Sequence, residues 1–250
     1  MRLQLSTWQE IEAYLKRSTA VMIPIGSTEQ HGPNGFVGTD ALCPETLAYG
    51  IAEQTGALVA PTLSIGMAQH HLGFAGSITL RPTTLIAVVQ DVVNSLARHG
   101  FDRFFFLNGH GGNIATVSAA FSEIYAETSL RTAGTNRPPL QCKLKNWWDG
   151  AAVQAISKEL FGASEGSHAT CSEVSLTYYA YPEHVKSAPM SPEIAPTGPI
   201  YDADDFRNRY PDGRMGSNPK LASVEAGERL YKAAVKDLSA EWQAFAFQAA

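Results

Sequence analysis

The chain of 250 residues carries 24 acidic and 19 basic side chains, so its net charge of −5 offers no basic surface for nucleic acid. No apolar run reaches the roughly 18 residues of a membrane span, and the amino terminus lacks the apolar stretch of a signal peptide. The three cysteines are odd in number and widely separated, which argues against a disulfide framework and favours a reducing compartment, so we expect a cytoplasmic protein.

Apolar spacing and turn residues predict alternating helices and strands along the chain. A first helix is expected over residues 7–15, with Ser6 as its N-cap and Glu10 near the capping-box position. Predicted strands are residues 21–25, 57–60, 101–107 and 140–144. Further predicted helices are one that begins at Asp40 with Pro44 in its first turn, then residues 83–98, 114–128, 150–160, 170–179 and 225–247.

This alternation predicts the α/β class, a three-layer α/β/α sandwich with a mostly parallel central sheet. Residues 182–219 hold seven of the 14 prolines and are expected to form a long irregular arm, of a kind that is usually functional or interfacial. We expect one domain over residues 1–250, although two smaller domains would also fit this length.

Acidic and histidine side chains follow the ends of two predicted strands. Glu29 and His31 come after the strand at residues 21–25, and His110 lies in the glycine-rich turn after residues 101–107. Ligands bind beyond the carboxyl ends of parallel strands, so topology brings these side chains together with Asp40 at the next helix start. An extended chain would also point Glu29 and His31 to the same side. The set predicts a shared metal site.

Each residue also has a simpler interpretation. Glu29 would be a solvated loop acid, Asp40 a helix N-cap and His31 a hydrogen-bonded loop histidine. Glu173 lies one turn into a predicted helix, beside its apolar face, where it is either a further metal ligand or a capping glutamate. Mixed carboxylate and imidazole donors suit zinc, manganese or iron.

Charge balance supports two cations. Two divalent ions bring four positive charges, which the three carboxylates of Glu29, Asp40 and Glu173 and one hydroxide would neutralise. Such a pair lowers the pKa of its shared water and polarises a carbonyl, as hydrolysis requires. Asp40, with two carboxylate oxygens, is the natural bridging ligand.

Four motifs resemble the creatininase family of metal-dependent amidohydrolases. They are PIGSTEQHGP at residues 24–33, the Thr39-Asp40 pair, NGHGGN at residues 108–113, and His168-Ala169 with Glu173-Val174-Ser175. The similarity extends over residues 21–179. It implies an α/β sandwich, a two-metal centre, hydrolysis of a non-peptide C–N bond and, in many members, a homohexamer.

By position, the resemblance implies four metal ligands, with Asp40 bridging: Glu29, His31, Asp40 and His110. The family pattern His-x-Glu is broken by Gly112, so Glu173 is expected to complete the second metal position and to serve as a catalytic residue. His168 matches a histidine proposed to assist proton transfer, although it would also fit a helix cap. His71 and Ser77 are predicted to contact substrate.

Two adjacent tryptophans, Trp147 and Trp148, are predicted to form an aromatic wall for a planar substrate, or else to be core and subunit-contact residues. The glycine-rich turn at residues 109–112 lacks the lysine of a phosphate-binding loop. We therefore expect a hydrolase in which a metal-bound hydroxide attacks a small amide or cyclic amide and His168 returns a proton to the leaving nitrogen.

Several alternatives stay open at this point. The substrate would be creatinine, a formamide or a short peptide bond. The sequence also fits a ligand-binding protein with a non-catalytic metal centre. A third alternative is an oligomeric scaffold whose main feature is the arm at residues 182–219. An enzyme must leave a coordination position open, which separates it from a closed structural centre.

Overall fold

The computed structural model describes residues 1–130 and 139–247. The described strands are β1 (Ala20–Ile25), β2 (Arg103–Asn108) and β3 (Gln141–Asn146). The described helices are α1 (Trp8–Leu15), α2 (Thr39–Thr55), α3 (Pro82–Arg98), α4 (Asn113–Ser129), α5 (Ala151–Leu160), α6 (Cys171–Ala180), α7 (Ala203–Arg209) and α8 (Val224–Ala246). None of these helices is both long and apolar enough to cross a bilayer.

Within the described residues, the three strands form a parallel sheet in the order β1-β2-β3. The register aligns Ile25 with Asn108 and Asn108 with Asn146, so all three strands end at the same edge. The loops that carry the predicted ligands start at this edge, as the topology argument predicts.

Alternate residues of the strands pack against different helical layers. Met22 and Phe105 face a cluster formed largely by α2, α5, α6 and α8. Ile23 and Phe106 face the opposite cluster, formed largely by α1, α3 and α4. Because side chains of a strand alternate between the two faces of the sheet, helices cover both sides, and the predicted three-layer α/β/α arrangement is confirmed.

Predictions for the N-cap of α1, for residues 57–60 and for the arm were wrong in detail. The N-cap of α1 is Thr7, not Ser6, because Thr7 and Glu10 form the capping box. Residues 57–60 form no strand; Val59 makes only single bridges, to Arg2 and Met22. The arm at residues 182–219 is not wholly irregular, since it contains α7, whose N-cap Asp202 accepts a hydrogen bond from the backbone N–H of Asp205.

Close backbone contact fixes the start of α2 against the strand ends. Pro44 lies in the second turn of α2, not the first, and as a proline it cannot donate to the carbonyl of Asp40. A Cβ atom added at Gly26 or at Gly109 would lie 2.0 Å from that carbonyl oxygen. Only glycine lets the two strand-end loops approach α2 so closely, and this contact sets the position of Asp40.

Candidate metal centre

Asp40 lies at the centre of the cluster. Its Oδ1 is 2.9 Å from Nε2 of His31, and its Oδ2 is 2.8 Å from Nδ1 of His110. The side chain of Asp40 is 3% exposed, in the first turn of α2. Each carboxylate oxygen therefore faces a different imidazole, which is the arrangement that a ligand shared by two cations needs.

Glu29 lies beside Asp40 and is fully buried. Its Oε2 is 3.3 Å from Nε2 of His110, and its Oε1 is 3.1 Å from Nε2 of His71 and 3.7 Å from Nδ1 of His168. The loop after β1 thus brings Glu29 to the imidazoles of three distant segments of the chain.

Glu173 approaches the cluster from α6. Its Oε1 is 3.8 Å from Nε2 of His31, and the same oxygen accepts a 2.6 Å hydrogen bond from the backbone N–H of Thr170. Thr170 and Glu173 form a capping box, so Glu173 is a capping glutamate that also lies beside the cluster.

Three sets of side chains have donor atoms within 4.8 Å of one another. The sets are Glu29, His31 and His168; Glu29, Asp40 and His110; and His31, Asp40 and Glu173. Bonds of 2.0–2.2 Å at tetrahedral angles separate neighbouring donor atoms by about 3.3–3.6 Å. The observed separations of 2.8 to 3.8 Å bracket this range.

Several buried carboxylate oxygens make no hydrogen bond with the described residues. These are both Oε atoms of Glu29 and Oδ2 of Asp40, although imidazole nitrogens lie close to all three. A buried carboxylate without hydrogen bonds is costly, and a cation between it and the imidazoles removes that cost. The donor set fits divalent zinc, manganese or iron.

Backbone carbonyls orient two of the imidazoles. Nδ1 of His31 is 3.0 Å from the carbonyl oxygen of Glu29, and Nε2 of His110 is 2.9 Å from that of Met67. Because a carbonyl oxygen only accepts, each ring nitrogen there donates its proton. The other nitrogen of each neutral ring then faces Asp40 with a free lone pair, as in histidines that bind metals.

Without a cation, the cluster retains protons. Burial raises the pKa of both Glu29 and Glu173 to about 7. Burial opposes the charged form of the imidazoles too, but Asp40 raises the pKa of His31 to about 10, and Glu29 with Asp40 raises that of His110 to about 9. Binding of a cation would displace such protons.

A cavity of about 370 Å³ opens beside the cluster, a volume that suits a small molecule. Asp40, His110, His168 and Glu173 contribute to its wall. The other lining residues are Gly109, Gly111, Trp147, Trp148, Val153, Gln154, Ser157, Glu165, Gly166, Ser167, Thr170 and Ser172. Both predicted tryptophans therefore line the cavity, with their rings nearly perpendicular to each other at 87°.

Ser77 and His71, which were predicted to contact substrate, do not line this cavity. Ser77 accepts a 3.1 Å hydrogen bond from the backbone N–H of Gln30 through its Oγ. His71 lies behind the cluster, where its Nε2 faces Glu29 and its Nδ1 lies 2.9 Å from Nε2 of Gln30. Both residues thus contact the loop that holds Glu29 and His31.

Gln30 connects the cluster to the arm, and sequence reasoning did not single it out. Its Nε2 lies 2.9 Å from Nδ1 of His71, from Nε2 of His168 and from the carbonyl oxygen of Gly213. Its backbone carbonyl accepts a 2.9 Å hydrogen bond from Nε2 of His168. Its position between Glu29 and His31 was the only signal available in the sequence.

The arm at residues 182–219 covers the histidines. The ring of Phe206, which is fully buried, packs 4.7 Å from that of His71 and 6.4 Å from that of His168. His168 also pairs with Met215 through a backbone bridge. The arm therefore shields one side of the cluster from water.

The structure leaves no space for a side chain at Gly112, where the family pattern has glutamate. A Cβ atom there would lie 2.4 Å from Nε2 of His110 and 2.7 Å from the carbonyl oxygen of Met67. The His110 ring and this carbonyl group occupy the space that the Cβ atom of any side chain at residue 112 would need. The geometry therefore leaves Glu173 as the acidic residue beside His31 and Asp40.

Comparison with known proteins gives consistent matches over the whole fold. The family model described as "Creatininase: Creatinine amidohydrolase" matches residues 4–241. Creatinine amidohydrolase of Pseudomonas putida is 31% identical over 246 residues, covering 93% of this chain and 92% of its own. Mycofactocin precursor peptide peptidase of Mycobacterium ulcerans is 28% identical over 231 residues, covering 87% and 82%. The solved structure "Creatininase Mn" has a TM-score of 0.82 at 27% identity, covering 98% of both chains.

Proposed function

Because the chain belongs to the creatininase family, we propose that it is a metal-dependent amidohydrolase that cleaves a non-peptide C–N bond in a small amide or cyclic amide. The observation that carries the proposal is the set of buried carboxylate oxygens that lack hydrogen bonds and face imidazole nitrogens. The adjoining cavity gives a substrate access to this set.

The proposed ligands are Glu29, His31, Asp40, His110 and Glu173, with Asp40 shared between two divalent cations, zinc or manganese. When bound, such cations polarise a carbonyl group and lower the pKa of water. Backbone acceptors for His31 and His110 keep the two rings oriented before any substrate enters, which reduces the cost of organising the site.

His168 is the proposed proton carrier. Its Nε2 donates to the carbonyl of Gln30, so in the neutral ring Nδ1 is free to accept a proton. Burial and the neighbouring His71 lower the pKa of His168 well below its usual value, which keeps the ring neutral. In hydrolysis the water oxygen bonds to the acyl carbon and the C–N bond breaks, while Nδ1 accepts a proton from the water and passes it to the leaving nitrogen.

The similarity to a peptide peptidase gives a specific reason to test peptide bonds as well. A substrate panel should therefore contain creatinine and other cyclic amides, a formamide and short peptides. An oligomeric assembly, a hexamer in many family members, stays a prediction from the family resemblance.

The test combines elemental analysis with this panel, with zinc or manganese added. We expect two metal ions per chain and hydrolysis of at least one amide. Glu29→Gln should lose metal and activity together, while the exposed control Glu12→Gln keeps both. Protein that binds no metal and hydrolyses none of the panel would contradict the proposal, and metal without hydrolysis would favour a ligand-binding protein.

A further inference from the structure

The carbonyl group that orients His110 comes from a distant part of the chain. Nε2 of His110 donates to the carbonyl oxygen of Met67 at 2.9 Å, across a sequence separation of 43 residues. His31 instead donates to the carbonyl oxygen of Glu29, two positions away in its own loop. The direction of the His110 ring therefore depends on what fixes the segment around Met67, whereas the direction of the His31 ring is set locally.

A threonine hydroxyl holds the same peptide group from its opposite side. The Met67 carbonyl and the backbone N–H of Ala68 belong to one planar peptide group. That N–H donates a 2.8 Å hydrogen bond to Oγ1 of Thr79, and the Thr79 hydroxyl donates in turn to the carbonyl oxygen of Leu80 at 3.1 Å. One peptide group thus connects Thr79 to the His110 ring, and it cannot rotate without breaking one of these bonds.

The preceding peptide group is held by Asn113, the fully buried first residue of α4. Its Oδ1 accepts a 3.1 Å hydrogen bond from the backbone N–H of Met67, and its Nδ2 donates a 2.9 Å hydrogen bond to the carbonyl oxygen of Gly26. The side-chain amide has its acceptor and its donor on the matching sides. Asn113 therefore joins the segment around Met67 to the loop after β1, which carries Glu29.

The segment at residues 66–68 is irregular, yet its backbone is fully hydrogen-bonded at these two peptide groups. The carbonyl of Gly66 accepts a 2.9 Å hydrogen bond from the backbone N–H of Leu80, which completes the first of the two. A Cβ atom added at Gly66 would lie 2.3 Å from Oδ1 of Asn113, so only glycine allows this approach. Side chains and backbone from two other segments thus fix a piece of chain that forms no helix or strand.

Resting on the proposed metal-dependent function, we propose that Thr79 and Asn113 are positioning residues that hold the Met67 carbonyl in place. They thereby keep Nδ1 of His110 directed at one of the two cations. Neither side chain belongs to the three donor sets or to the cavity wall. Their influence reaches the metal through the backbone and one imidazole, and loss of such outer partners of a ligand lowers metal affinity by about 10- to 100-fold.

The two cations should respond differently to loss of these positioning residues. The cation held by Glu29, Asp40 and His110 should bind more weakly, because the His110 ring loses its fixed direction. The cation held by His31, Asp40 and Glu173 should change less, because the partner of the His31 ring lies in its own loop. Residues that only stabilise the fold would not separate the two cations in this way.

A matched pair of substitutions at Thr79 tests the proposal by zinc binding, without requiring turnover. Valine has nearly the shape of threonine but no hydroxyl, whereas serine keeps the hydroxyl. In calorimetric titrations with zinc, we expect Thr79→Val to weaken binding of one ion by about 10-fold, and Thr79→Ser to bind both ions as the unmodified protein does. The control Thr84→Val, at an exposed position of α3, should change neither ion.

Cobalt provides a spectroscopic signature of the His110 ring itself. In the cobalt-loaded protein, the ring N–H proton of each metal-bound histidine gives a shifted NMR signal that exchanges with D2O. Thr79→Val and Asn113→Ala should both speed the exchange of the His110 signal, while the His31 signal stays as it is. Thermal unfolding of the metal-free variants checks that each is folded.

Unchanged binding of both zinc ions in Thr79→Val, or an equal loss in Thr79→Val and Thr79→Ser, would overturn the proposal. If Asn113→Ala does not fold, the substitutions at Thr79, which is only partly buried, still decide the question. Selective loss of one ion in a protein that hydrolyses no amide would support the positioning role and contradict the hydrolase proposal alone. Amide hydrolysis with unchanged ion binding in the variants would overturn the positioning role alone.

Discussion

Replacing Gly109 by alanine should disrupt the metal centre although residue 109 carries no ligand atom. The added Cβ would lie 2.0 Å from the carbonyl oxygen of Asp40, whereas ordinary contacts begin at 3.4 Å. Relief of the overlap requires a relative movement of about 1.4 Å between the loop after β2 and the start of α2. Metal–ligand distances tolerate only about 0.2 Å, so Asp40 and His110 can no longer serve the same cations.

The expected loss can be stated for both activity and stability. A displacement of about 1 Å in a catalytic site reduces turnover by about 100-fold, and overpacking of a tight contact costs about 1–3 kcal/mol of unfolding free energy. The assays are metal content, amide hydrolysis and thermal unfolding of the purified variant.

Gly111 in the same loop provides the matched control. A Cβ atom at residue 111 has no neighbour within 4 Å, so Gly111→Ala should retain metal and stability. Full metal content and normal turnover in Gly109→Ala would show that the position of Asp40 does not depend on this backbone contact.

Three other perturbations test separate parts of the site. Glu173→Ala should leave the fold intact and lose one of the two metal ions. The lost helix cap should lower the unfolding free energy by about 1 kcal/mol. Unchanged metal content would show that Glu173 is not a metal ligand. Gln30→Met should reduce kcat by about 10- to 100-fold because the Gln30 side chain no longer joins His71 to the carbonyl of Gly213, and normal turnover would contradict this positioning role. Zinc affinity should rise with pH by about two log units per pH unit between pH 7 and 9. The reason is that His31 and His110, whose pKa values are raised to about 10 and 9, each release a proton when zinc binds. Calorimetry in several buffers measures this proton release, and a pH-independent zinc affinity would exclude it.

The sequence was sufficient for the parts of the site that depend on local pattern and topology. Strands β1 and β2 are largely apolar and each is followed directly by a glycine, so the residues after them were expected to lie at one edge of a parallel sheet. The helix that carries Glu173 follows from its capping box with Thr170.

Contacts made by the arm were not predictable in the same way. Gln30 meets the carbonyl of Gly213, and Phe206 covers His71, across separations of well over 100 residues with no periodic pattern to signal them. The proline-rich composition of residues 182–219 predicted an irregular path, but the packing of this path onto the histidines depends on tertiary contacts alone. For the same reason, the sequence did not reveal that Ser77 supports the backbone of Gln30.

The most direct test of the metal centre is anomalous X-ray diffraction from crystals loaded with manganese or zinc. We expect two peaks on either side of the Asp40 carboxylate, with donor atoms of Glu29, His31, His110 and Glu173 at about 2.0–2.2 Å. A single peak that Asp40 does not contact, or the absence of any peak among these five side chains, would contradict it.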